Sequence, residues 1–204
     1  MDKVHIKSVE PLKEGSSRFV VPHRMIYEQN GVEKVWDLVD SHDSVGAIIY
    51  NATSNKLVFV SQFRPPVYRR AQLAKQGFVE GTKGIVLELC EGIVDDESLS
   101  LEETMRKEIL EETGHAVHGP LEKIATWLDN VGHSGTWRTL FYIEVTNDDK
   151  ISRGGGCATE GELIDVIELT PQEVKDRLDD PESVDLSVSF AYYWFMANKF
   201  NNDN

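Results

Sequence analysis

The stretch KEILEETGH, residues 107–115, sets Glu108, Glu111 and Glu112 within five positions, just ahead of a glycine. Upstream, Ser100-Leu101-Glu102-Glu103 is a capping box, in which a serine and a glutamate three residues on satisfy each other's backbone donors. Gly114 is the residue type that ends helices. The pattern predicts one helix from Ser100 to Gly114. At about 100° per residue, Leu101, Met105 and Ile109 form an inward stripe, and Glu108 and Glu112 fall within roughly 20° of Leu101 on either side. Glu103, Lys107 and Glu111 make an i, i+4 ladder on another side.

Any fold built on this helix must press two carboxylates against its own core. A solvated acidic face accounts for Glu102, Glu103 and Glu111, but not for Glu108 and Glu112. Buried carboxylates without a counter-charge are costly, or one must protonate. A divalent cation removes the conflict, and ligands that are all oxygen suit Mg²⁺ or Mn²⁺. The helical wheel alone leaves the metal reading and its structural alternative evenly balanced.

The rest of the chain reads as mixed strands and helices, an α+β fold. RFVVPHRMIYEQ and VEKVWDLVD flank Asn30-Gly31, a pair suited to the two positive-φ positions of a type I′ hairpin turn. SVGAIIYN and KLVFVSQFR form a second strand pair, and residues 65–85, opening on Pro65-Pro66, read as loop. IVLELCEGIV, LEKIATWL, TLFYIEV and LIDVIEL are further strands. DKISRGGGCATEGE is a long polar loop; no helix with Lys-Ser/Thr follows its glycines, so they read as a hinge and not as a phosphate loop. Thr170-Pro171-Gln172-Glu173 is another capping box, and LSVSFAYYWFMANKF is an apolar helix whose Trp194 and Phe195 read as core. A boundary is placed near residue 43, giving an N-terminal sheet (1–42) and a main domain (43–204). A two-stranded sheet buries little alone, so it should pack on the main domain or a second subunit.

With 204 residues, a net charge of −14 and no lysine/arginine run beyond pairs, the chain lacks the basic face of a phosphate-backbone binder. Nucleic acid, and with it RNA decapping, is disfavoured. No apolar run approaches the roughly 18 residues of a membrane span. MDKVHIKSVEPLKEG has no apolar signal core, and the two distant cysteines form no disulfide framework. A cytoplasmic setting is expected.

GIVDDESLSLEETMRKEILEETGH (92–115) resembles the Nudix box: G, five residues, E, seven residues, then R-E-U-x-E-E-x-G-U, with U bulky and apolar. Lys107 stands where that pattern has Arg, and the stretch after Gly92 is one residue longer. Ser98 or Leu99 occupies the place of the first Glu, and His115 that of the last apolar residue. Glu108, Glu111, Glu112 and Gly114 all remain. HDSVGAIIYN, LVFVSQFRPPVY, ELCEGIVDD, NVGHSGTWRTLFYIEV and GGGCATEGELIDVIEL extend the resemblance to the nucleotide-sugar branch, which includes ADP-ribose pyrophosphatases.

The resemblance implies an α/β/α sandwich around a mixed sheet, with the N-terminal sheet helping to form a homodimer. It implies Mg²⁺-dependent hydrolysis of a nucleotide sugar. The first expectation is UDP-glucose giving UMP and glucose 1-phosphate; the alternatives are ADP-ribose giving AMP and ribose 5-phosphate, or a non-catalytic nucleotide-sugar sensor. Glu108 and Glu112 are the principal metal ligands on both wheel and motif. Glu111 is either a further ligand or the partner of Lys107, and the backbone carbonyl of Glu91 is a ligand by resemblance. A glutamate of the glycine-rich loop is implied as base, Glu160 before Glu162; the bland alternative is a solvated loop. Arg64 serves a phosphate contact or an ion pair, Glu88 a substrate contact or a structural hydrogen bond, and Trp36 a base stack or plain packing. The loops 65–85 and 129–137 are where a base pocket would be shaped.

Overall fold

Asn30 and Gly31 adopt the expected positive φ values of 55° and 77°, and they turn β1 (Val21–Gln29) back on β2 (Val32–Asp40). This hairpin is a sheet of its own. Two hydrogen bonds tie it to the loop after β7: Val39 N–H to the His133 carbonyl (2.9 Å) and Trp36 Nε1 to the Gly132 carbonyl (3.1 Å). The computed structural model describes residues 4–13, 15–17, 19–75, 79–179 and 184–200, and the backbone but not the side chain of Glu160.

The remaining strands form one mixed sheet of seven. β3 (Ser44–Asn51) runs parallel to β8 (Thr136–Val145), which pairs antiparallel with β7 (Glu122–Asp129). β3 and β4 (Lys56–Phe63) are the expected antiparallel pair, but they touch only over Ile49–Asn51 and then diverge. The run 85–93 enters the gap. It was expected to be one strand; it is two, β5 (Ile85–Glu88) on β4 and β6 (Cys90–Ile93) on β3, with Leu89 between them. A run that changes partners between diverging strands must break its pairing at the crossover, and periodicity does not announce that. β9 (Ile164–Leu169) completes the sheet along β4.

Alternation along the central strands gives the sheet two apolar faces. Ile48, Leu140 and Tyr142 face one cluster with Val188, Ala191 and Phe195. Val45, Ala47, Ile49, Phe141 and Ile143 face another with Met105 and Ile109. Helix α4 (Leu186–Asn198) thus covers one face with α3 (Pro171–Leu178), and α2 (Leu101–Glu108) covers the other. This is the α/β/α sandwich. The capping boxes at Ser100 and Thr170 are both present.

Two expectations are corrected. Residues 65–85 are not all loop: α1 (Pro65–Lys75) and a 3₁₀ turn, Gly81–Gly84, lie there. Proline is tolerated in a first helical turn, where its missing N–H would have had no partner. Tyr68 is the only buried residue of α1, so no apolar stripe marks the helix in the sequence. Leu101 does not belong to the inward stripe of α2; it is 36% exposed in the first turn, while Met105 and Ile109 are fully buried.

Candidate active site

The acidic helix does not stay α-helical to its end. After Glu108 it widens into a π turn, Ile109–Thr113, closed by Gly114 in the left-handed region at φ 81°. Such turns occur mostly as single insertions within α-helices, frequently at functional sites. Thr113 Oγ1 donates to the Ile109 carbonyl at 2.6 Å.

The wheel's division of the glutamates holds. Glu112 is buried, at 3% exposure, and the Glu108 side chain is 15% exposed. The Glu111 side chain is more open and lies 3.5 Å from Lys107 Nζ. Lys107 also approaches Glu108, at 3.9 Å. Gly92 makes room for this arrangement: a Cβ there would collide with Glu108 Cγ and Cδ. The box glycine thus lets the helix carboxylate lie flat against β6.

Glu112 Oε2 accepts a 3.2 Å hydrogen bond from the Glu91 N–H. Strand alternation sends the Glu91 side chain the other way, where Arg138 holds it with two contacts: Nη1 to Oε1 at 3.1 Å and Nη2 to Oε2 at 3.0 Å. Burial pushes the Glu112 carboxyl up to about 8; the neighbouring Glu108 adds to this, while hydrogen bonds from Cys90 and the Glu91 N–H oppose it. Burial likewise pushes the Glu91 carboxyl to about 7 against the pull of Arg138.

The glycine-rich loop meets the same turn. Gly155 N–H donates to the Glu112 carbonyl at 2.8 Å and Gly156 N–H to the Glu111 carbonyl at 3.0 Å. A Cβ on Gly154 would strike the Glu112 carbonyl oxygen. These glycines, read as a hinge from the sequence, allow backbone-to-backbone contact that satisfies the last carbonyls of the π turn. The loop then carries Glu162 to the cleft, its Oε2 accepting from the Cys157 N–H at 2.9 Å. The Glu160 backbone lies in a short 3₁₀ turn, Ala158–Glu160; its side chain lies outside the described residues.

Glu91, Glu108, Glu111, Glu112, Glu162, Arg64 and Arg138 line one cleft of about 690 Å³. Arg64 follows β4, and its guanidinium presently grips Glu88: Nε at 2.8 and 2.9 Å from the two oxygens, Nη2 at 2.8 Å. Glu88 also accepts from Gln62 at 3.0 Å and does not itself line the cleft. Trp36 does not line the cleft of its own chain; it is 52% exposed on the hairpin. Arg138 and Gln62 went unnoticed in the sequence. A lone Arg or Gln on a strand looks like a surface residue until the strand's place in the sheet is known.

Among the described residues, no three His, Cys, Asp or Glu side chains form a ready-made metal cage. The donors nevertheless fit a hard divalent cation. They are oxygens alone, carboxylates with the Glu91 carbonyl, and burial beside Glu108 disfavours ionisation of Glu112, a conflict that such an ion relieves.

A NUDIX domain is recognised over residues 40–187, and the chain belongs to the Nudix family; it is a Nudix hydrolase. Two curated relatives are uridine diphosphate glucose pyrophosphatase NUDT14 of Bos taurus and of Mus musculus. The first is 37% identical over 201 residues, the second 38% over 200, each covering 89% of this chain and 90% of the relative. A GDP-mannose pyrophosphatase of Pectobacterium atrosepticum is 29% identical over 171 residues, 81% of either chain.

Proposed function

We propose that this Nudix hydrolase is a nucleotide-sugar pyrophosphatase that splits UDP-glucose into UMP and glucose 1-phosphate, using Mg²⁺ or, in its place, Mn²⁺. The observation that carries the reading is the buried Glu108–Glu112 pair opening on a cleft that also holds Arg64 and Arg138. Its substrate choice draws on the two relatives named for UDP-glucose.

In this reading Glu108, Glu112, Glu111 and the Glu91 carbonyl hold the metal. The bound ion neutralises phosphoryl oxygens and lowers the pKa of a water. Arg64 turns from Glu88 toward a phosphate, since a guanidinium pairs with two oxygens of either group. The glycine-rich loop supplies the base, Glu160 or Glu162. Support for the loop comes from Glu162 at the cleft and from the docking of Gly155 and Gly156 on the π turn. The N-terminal region (1–42), through its hairpin, pairs two copies of the chain into a homodimer, and Trp36 reaches substrate there or packs in the interface. Met25, Ile26, Val35 and Trp36, all more than half exposed, favour a partner for this hairpin. No helix of the described residues is long and apolar enough to cross a membrane. A cytoplasmic protein is proposed.

Product analysis tests the reading. Purified protein with Mg²⁺ is offered UDP-glucose, ADP-ribose and GDP-mannose in parallel, and UMP with glucose 1-phosphate should dominate. AMP and ribose 5-phosphate from ADP-ribose would move the substrate and keep the chemistry. No turnover with Mg²⁺ or Mn²⁺ would shift the reading to a non-catalytic nucleotide-sugar sensor.

A further inference from the structure

Strand β6 is short, Cys90–Ile93, and β3 is its one ladder partner among the described residues, since β5 pairs with β4 and the run breaks at Leu89. Yet this strand carries the N–H of Glu91 that donates to Glu112 at 3.2 Å. A second tie comes from the Glu91 side chain. It crosses β3 to reach Arg138 of β8, whose two Nη groups bind its two oxygens at 3.1 and 3.0 Å. The crossing passes over Gly46, which is paired with Glu91 on one side of β3 and with Leu140 on the other. A Cβ at Gly46 would stand 3.3 Å from Glu91 Cγ and 3.5 Å from its Oε1, so the bare backbone keeps that path open. Arg138 Nε lies 3.4 Å from Asp129 Oδ2, which carries the connection on to the end of β7. Besides the carboxylate cleft, Arg138 lines a second concavity, of about 870 Å³, together with Trp127 of β7 and Phe190 and Tyr193 of α4. With open space on both sides, its guanidinium keeps its place through Glu91 and Asp129.

We propose that Arg138 and Glu91 are positioning residues: their ion pair clamps β6 to β8 across Gly46 and so fixes the Glu91 peptide and Glu112 for a divalent cation. This rests on the reading of Glu112 and the Glu91 carbonyl as metal ligands. Outer partners of this kind orient the groups that touch a metal. The pair differs from Arg64 and Glu88. Glu88 keeps the Gln62 amide when Arg64 turns toward a phosphate. Glu91 without Arg138 would be left with the Ser187 hydroxyl, buried near the like charges of Asp185 and Glu88. Arg138 is therefore held on Glu91 and does not turn to substrate.

Mn²⁺ binding without substrate, read from the electron paramagnetic resonance of the free ion, tests the clamp. Glu91→Ala, Arg138→Leu and the double variant are compared with the wild type, each with its melting temperature. Either single variant should bind Mn²⁺ about tenfold or more weakly, as when an outer partner of a metal site is lost. The double variant should bind no worse than the singles, because one clamp is lost once. Stability should follow another order. Arg138→Leu strands the Glu91 carboxylate and should melt lower; the double variant, with no unpaired charge, should regain that loss while its Mn²⁺ affinity stays low. Wild-type Mn²⁺ affinity in folded Glu91→Ala overturns the proposal, and so does recovery of affinity in the double variant. A raised KM for the nucleotide sugar in Arg138→Leu, with Mn²⁺ affinity unchanged, would make Arg138 a substrate contact and refute the clamp. A wild type that binds no Mn²⁺ would instead remove the metal reading of Glu112, and the clamp with it.

Discussion

Glu112 carries a conflict of its own, a carboxyl buried to 3% exposure and pushed up to about 8 by that burial. Glu112→Gln keeps the shape and removes the charge. Turnover should fall by more than about 100-fold, the upper end for outer partners of a metal site, with melting unchanged or raised; near-normal turnover would take Glu112 out of the metal set. His115 poses the opposite case. It is fully buried, its Nδ1 lies 2.9 Å from Thr113 Oγ1, and its Nε2 has no hydrogen-bond partner among the described residues. Burial, with Lys150 nearby, lowers its pKa below the ordinary 6.5. The folded state therefore binds a proton less readily than the unfolded chain. Stability is full above pH 6.5 and falls as the pH drops below it, by at most about 1.4 kcal/mol per unit. Denaturant midpoints at pH 7.5 and 5.5 should diverge in the wild type and converge in His115→Leu, which restores the apolar residue of the family pattern. Equal divergence in both would assign the slope to other groups.

At the scale of elements, two glycines set the distance between backbone and carboxylate. Gly92→Ala would drive a Cβ into the Glu108 side chain, whose flexible end can move away. We expect turnover to drop by about 100-fold, as for an ångström of misplacement, with little loss of melting temperature. Wild-type turnover would mean that Glu108 need not lie against β6. Gly154→Ala meets backbone instead, the Glu112 carbonyl, at a φ of +66°. Neither neighbour can yield, so about 2 kcal/mol or more of stability should go. That corresponds to a melting temperature lower by roughly 4–8 °C for a chain of this size; an unchanged melting temperature would deny that the loop is docked on the π turn. The capping boxes, the type I′ turn and most strands were legible because their signals are local: a serine with its glutamate, an Asn-Gly pair, alternation. The π turn, helix α1 and the break at Leu89 were not, because partners distant in the chain impose them.

For the whole molecule, the proposal to test is that the hairpin pairs two copies of the chain. The register pairs Met25 with Trp36 and, on the opposite face, Ile26 with Val35, so both faces carry exposed apolar side chains. Light scattering on the eluting protein should give twice the chain mass of 23.0 kDa, and Val35→Glu should shift it toward one chain. A wild type at a single chain mass would end the homodimer proposal. The candidate site was only partly legible at this scale. Glu108, Glu111 and Glu112 announced themselves because one helix holds them, and helical spacing is periodic. Their meeting with Glu162, Arg64 and Arg138 depends on β4 and β3 diverging, on β6 filling the gap, and on Gly154–Gly156 reaching the helix end.

The sequence by itself determined the α+β class, the acidic helix with its inward and outward carboxylates, and the family, since each is written in residue type and short spacing. Tertiary structure alone decided which distant groups share the cleft, that Glu88 partners Arg64, that the glycine run docks on the π turn, and that rings from β7 and α4 line a second space. Those outcomes depend on where strands diverge and which faces they turn to one another, and no short-range pattern encodes that geometry.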